Sequence, residues 1–233
     1  VNYSFRIRRQ ANDNRKVATV KLSTADVWDI VRTERKCLIE DLSLLERQRW
    51  NTPSLCPGWS VHDVLAHLVD TAKTGKGAFV WNMVRARGNF DLANDQGIAR
   101  HKNDDPQQTL AVLSGAIELT KAPPANRATR LVEAIVHGED IRRPLHIEPR
   151  YPHVGVLEAL DYQIRTAVSF GGGRERARGV LLRETDSGST WGEGPEVSAQ
   201  TLDLLLTVSG RHVDPTRFTG GGAAQFLRNV RSE

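Results

Sequence analysis

Apolar residues recur at three- and four-residue spacing in four separate stretches of this chain, and proline or glycine stands in the gaps between them. That period marks helices that bury one stripe. From Ser23 to Trp50 the stripe is Val27, Ile30, Val31, Leu38, Leu42 and Leu45. "NTPSLCPGWS" then interrupts with Pro53, Pro57 and Gly58. Ser60 has N-cap chemistry, and Asp63 three residues on makes a near capping box. The following helix carries Val61, Val64, Leu65 and Leu68 and is expected to run, loosely at Gly75 and Gly77, to about Arg87. Residues 88–104 read as a short helix plus loop. Asp105-Pro106 opens a third long helix, "KAPPANR" is a linker, and "LVEAIVHGEDIRRPL" is a fourth, ended by Pro144. Four such helices predict a bundle over residues 23–150.

After Tyr151 the texture changes. A helix near Val154–Val168 is followed by "SFGGGRERARG", a strand–turn–strand pattern in "VLLRETDSGSTWGEG", a helix in "SAQTLDLLLTVSG" and a last short helix after "TGGG". The fold class expected is mainly α with an α+β C-terminal part, residues 151–233. Neither glycine cluster has a phosphate-loop arrangement, so both read as flexible turns.

The net charge of +4 is unevenly placed. Residues 1–22 hold Arg6, Arg8, Arg9, Arg15, Lys16 and Lys21 against Asp13, which leaves the remainder near neutral. This basic stretch reads as a flexible tail. It lacks the aromatic interleaving of single-strand binders, which argues against a nucleic-acid arm. No apolar run approaches the length of a membrane span, and no secretory leader is visible. Two cysteines, Cys37 and Cys56, cannot build a disulfide framework, which points to a reducing, cytoplasmic setting. Both read as packing residues; Cys56, just before a helix start, has a minority reading as a reactive thiol.

Glu133 and His137 stand four residues apart, on one face of an otherwise apolar helix. Two readings compete. Buried, a carboxylate and an imidazole need partners, and a cation shared with His67 from the second helix satisfies both. Exposed, they are an ordinary surface pair. The helical wheel sets them away from Val132, Ile135 and Val136, which on spacing alone favours the surface pair. Asp63, Asp70 and Asp140 are candidate acceptors for the histidines' second ring nitrogens. Arg142 and Arg143 suit either a substrate carboxylate or, preferably, a helix C-terminus. His62, His101, His146, His153 and His212 read as surface residues.

"TPSLCPGWSVHDVLAHLVD" with "LVEAIVHGEDIRRPL", and further on "WGEGPEVS" and "LLLTVSGR", resemble the mycothiol-dependent maleylpyruvate isomerase family of the DinB-like metalloprotein superfamily. The resemblance spans roughly residues 24–212. It implies a DinB-like up-down four-helix bundle followed by a small α/β domain. It implies a divalent metal, zinc by its donor set, on His67, Glu133 and His137, and a catalytic arginine best matched by Arg211. Mycothiol is implied as thiol cosubstrate, with a small electrophilic, carboxylate-bearing compound as the second substrate, for an isomerase or S-transferase. The rival reading is a metal-binding or regulatory protein that keeps the site without catalysis.

Overall fold

The computed structural model describes residues 21–231; all but the last two residues of the basic stretch lie outside them. The chain divides into two compact units, Val27–Arg150 and, together with the residues up to Asp26, Tyr151 onward. No helix among the described residues is long and apolar enough to cross a membrane.

The first unit holds six helices: α1 (Thr24–Leu42), α2 (Val61–Lys73), α3 (Lys76–Arg85), α4 (Phe90–His101), α5 (Pro106–Ser114) and α6 (Ala128–Arg142). α1, α2, α5 and α6 make the bundle. Their shared core is Leu38 and Leu42 of α1, Val61 to Val69 of α2, Leu110 and Leu113 of α5, and Ile141 of α6, with Trp50 closing one end. Two expected helices are shorter than their periodicity suggests. α1 stops at Leu42, and Arg47–Asn51 is a separate 3-10 turn. α2 stops at Lys73, because Thr74 and Gly75 leave helical geometry before α3 begins. The capping box at Ser60 is complete: Ser60 Oγ accepts from the Asp63 amide, and Asp63 accepts from the Ser60 amide at 2.9 Å.

The second unit holds α7 (His153–Arg165), α8 (Thr201–Val208), α9 (Ala223–Arg231) and a three-stranded sheet of β1 (Leu181–Glu184), β2 (Thr190–Gly192) and β3 (Glu196–Ala199). The order is β2-β1-β3, with β1 antiparallel to β2 and parallel to β3. The last two residues of β3, Ser198 and Ala199, occupy the start of a stretch expected to be helical. The glycine clusters are not loose turns. A side chain added at Gly173 would lie 2.2 Å from the Val208 carbonyl oxygen, and one at Gly222 2.3 Å from that of Pro195. They are the places where backbone meets backbone.

Candidate metal centre

The "NTPSLCPGWS" segment folds back on itself to build one wall. Ser54 N and Oγ both donate to the Trp59 carbonyl, at 2.9 and 2.8 Å, and Val61 N donates to Thr52 O. Gly58 takes a left-handed φ of 81°, which its lack of a Cβ permits. Leu55 N donates to Asp140 O at 3.2 Å and ties the segment to α6. Trp59 is thereby set against His67, ring centroids 5.2 Å apart.

Against this wall α2 and α6 bring His67, Glu133 and His137 together. Their candidate donor atoms all lie within 4.8 Å of one another. Glu133 Oε2 is 3.3 Å from His67 Nε2 and 3.8 Å from His137 Nε2. The two imidazoles meet edge to face at 4.7 Å. His67 is only 4 % exposed, and Glu133 Oε2 is buried without a hydrogen-bond partner. A tetrahedral cation with bonds near 2.0–2.2 Å spaces its ligand atoms by roughly 3.3–3.6 Å. The donor spacing and the orphaned carboxylate oxygen therefore fit a small divalent ion. Burial pushes the Glu133 carboxyl up, but His67, His137 and Arg130 more than reverse this and hold it below the usual carboxylate range. It is poised as an anion facing two imidazole nitrogens.

Asp140 fixes which nitrogen His137 presents. Its Oδ2 accepts from His137 Nδ1 at 2.8 Å, which keeps the proton on Nδ1 and turns the Nε2 lone pair toward Glu133. Cys56 donates its thiol to the same Oδ2 at 3.1 Å. Cys56 thus joins the support of His137 rather than standing as a loose packing residue. Cys56, His137 and Asp140 form a second donor group, but its members already bond to one another. For a zinc ion held through His137, Asp140→Asn is expected to weaken affinity about 10- to 100-fold, the usual range for losing such a support. A competitive chelator titration measures it, and an affinity within about twofold of wild type would discount the role.

Asp63 and Asp70 do not support His67. Asp63 is spent in the capping box and on Lys102 Nζ at 2.6 Å; Asp70 faces Arg100 and His101 at 3.3 and 3.5 Å. His67 Nδ1 has no hydrogen-bond partner. One further expectation, a surface position for His62, is corrected. Arg142, in the last turn of α6, is buried, with Nε 2.7 Å from Asp41 Oδ2 and Nη1 3.6 Å from Glu34 Oε2. Burial lifts Glu34 to about 7 against the pull of Arg142. His62 is buried too, bonded to Thr109 Oγ1 at 2.9 Å and packed on Trp50. Arg143 pairs with Glu139 at 2.7 Å.

In the second unit, Arg211 follows α8 and donates from Nη1 to Ser209 O at 2.7 Å. A third donor group, His153, Glu184 and Asp186, lies there as well. Glu184 accepts from the amides of Asp186, Ser187 and Ser189 and from Thr201 Oγ1. Those donors occupy its lone pairs, so this group is a loop clamp.

Residues 31–128 match the family model described as the mycothiol maleylpyruvate isomerase N-terminal domain. The matched span contains His67 and ends before Glu133. No curated relative matches the chain. A crystal structure of the mycothiol-dependent maleylpyruvate isomerase superposes with a TM-score of 0.61 at 17 % identity, covering 87 % of this chain and 94 % of that one. A histidine-to-alanine mutant of that isomerase superposes with a TM-score of 0.56 at 14 % identity and the same coverage. The fold is the DinB-like one that the sequence motifs suggest.

Proposed function

We propose, from the match of residues 31–128 to the mycothiol maleylpyruvate isomerase N-terminal domain model, that the chain is a metal- and mycothiol-dependent isomerase or S-transferase. Its substrate class is a small electrophile bearing a carboxylate, and its setting is the cytoplasm. His67, Glu133 and His137 hold a divalent cation, and two imidazoles with one carboxylate suit zinc with a position left open. The observation that carries the reading is the orphaned Glu133 Oε2 between two imidazole nitrogens. A cation there supplies Lewis acidity, which brings a thiol's proton loss into the neutral range.

The chain's own residues do the rest. Asp140 holds the His137 proton on Nδ1 throughout, so that ring stays a donor toward the centre. Trp59 covers the His67 ring and limits water on that side. Arg211 is the proposed catalytic arginine, a guanidinium suited to a substrate carboxylate; it rests on the family resemblance.

The test is a calorimetric titration of mycothiol into zinc-loaded and zinc-free protein, paired with turnover of a cis-configured maleylpyruvate-like electrophile. Thiol binding that needs zinc, with thiol-dependent turnover, is the expected result. Zinc-dependent thiol binding without turnover of any electrophile would favour the non-catalytic alternative. No thiol binding in either form would sink the proposal.

A further inference from the structure

Beside the donor cluster the bundle lines a partly open cavity with two unlike sides. Leu38, Leu68 and Leu113, from α1, α2 and α5, make an aliphatic side; Glu34, Arg35, Arg130 and Glu133 make an ionisable one, on which burial lifts Glu34 to about 7. The two arginines are used differently. Arg35 Nη1 donates to the carbonyls of Ala116, Ile117 and Leu119 at 3.0, 3.1 and 2.8 Å, so it is committed to holding the end of α5. Arg130 is only 6 % exposed and far less satisfied. Its Nη1 reaches Thr71 O at 3.3 Å, and its Nε has no hydrogen-bond partner. Its Nη2 lies 3.8 Å from Glu133 Oε1, an ion pair beyond hydrogen-bonding reach.

A guanidinium cannot shed its proton to escape burial, so it calls for an anion. Glu133 is its carboxylate partner here, and a cation held by Glu133 neutralises that partner. Arg130, which lines the cavity and whose Nε bonds to nothing, is then left without a compensating charge. We propose that Arg130 receives the carboxylate of a short-chain acid that lays its carbons along Leu38, Leu68 and Leu113 with its other end toward Glu133. This deepens the preceding reading and rests on Glu133 being a cation ligand. It gives the bundle its own acid-recognition residue.

Crotonate and the isosteric neutral crotonamide are the probes, their binding to zinc-loaded protein measured by ligand-observed NMR. Wild type is expected to prefer crotonate, and Arg130→Met to weaken crotonate by about tenfold or more while leaving crotonamide unchanged. A metal-free arm guards against misfolding of that variant. Glu133→Gln removes the competing carboxylate with no metal present, so it should bind crotonate more tightly than metal-free wild type. Equal binding of the two probes by wild type overturns the proposal, as does undiminished crotonate binding by folded Arg130→Met. No gain in Glu133→Gln overturns it too. Wild type that takes up no zinc sinks the metal reading, whereas zinc uptake with no preference for crotonate sinks Arg130's role alone.

Discussion

Alanine at His67 or at Glu133 is expected to leave the purified protein with less than about a tenth of an equivalent of zinc, against about one for wild type. Losing a group that merely supports a ligand costs about 10- to 100-fold in affinity. Losing one of the three proposed ligands directly should exceed that, by about 100-fold or more. Two donors cannot enclose an ion as three would, where Glu133 Oε2 lies 3.3 Å from one imidazole nitrogen and 3.8 Å from the other. Elemental analysis after dialysis against a weak chelator reads the outcome. His62→Ala is the control. His62 lies on the same helix and is buried like His67, but it is bonded to Thr109. That variant loses stability yet should keep its zinc. Binding to the folded state alone also raises stability, by about 4 kcal/mol at a thousandfold excess over the dissociation constant. Chelation should therefore lower the melting temperature of wild type and leave His67→Ala unmoved. A full equivalent of zinc in both alanine variants would place the metal elsewhere or nowhere.

The parts legible in the sequence were local ones. Ser60 and Asp63 are three residues apart, so the capping box and the start of α2 could be read directly. Pro53, Pro57 and Gly58 announced the break that carries Trp59. The Glu133–His137 pair was visible as a pair, but its direction was misjudged by the helical wheel. A wheel sees one apolar stripe, whereas α6 is buried around most of its girth: Leu131, Ile135 and Val136 are buried, and so are Glu139, Asp140 and Arg142. Polar residues go inside because partners arrive from far along the chain. Asp41 meets Arg142 from 101 residues away, and Thr109 meets His62 from 47. No local pattern encodes such partners. β3 was missed because four residues, alternately half-buried and buried, are too short to stand out beside an apolar helix. The end of α1 was missed because Leu45 keeps the helical spacing past Leu42, although Leu44 turns out to be almost wholly exposed.

Gly173→Ala is expected to destabilise the second unit by about 3 kcal/mol or more, whereas Gly171→Ala two residues earlier costs about 1 kcal/mol. The two glycines differ in kind. Gly171 closes a 3-10 turn with φ 76° and has open space where a Cβ would go, so only the left-handed backbone is at stake. Gly173 has no such φ. A Cβ there would lie 2.2 Å from the carbonyl oxygen of Val208 and 2.8 Å from its Cβ. Gly172 is blocked in the same way by the Thr166 carbonyl at 2.0 Å. Backbone cannot step aside as a flexible side chain does, so the end of α7 would have to part from the end of α8. Several bonds span that approach. Gly173 N donates to Gln163 O at 2.8 Å, Gln163 Nε2 donates to Ser209 Oγ at 2.8 Å, and Arg176 Nη1 donates to both Gly172 O and Val208 O. Separation strains all of them at once, which is why the cost should exceed that of a single contact. Gly221→Ala, with open space and no positive φ, should change almost nothing. Urea midpoints, with amide exchange in α7 and α8, give the ranking. Gly173→Ala as stable as Gly221→Ala would mean the two helix ends do not meet this closely.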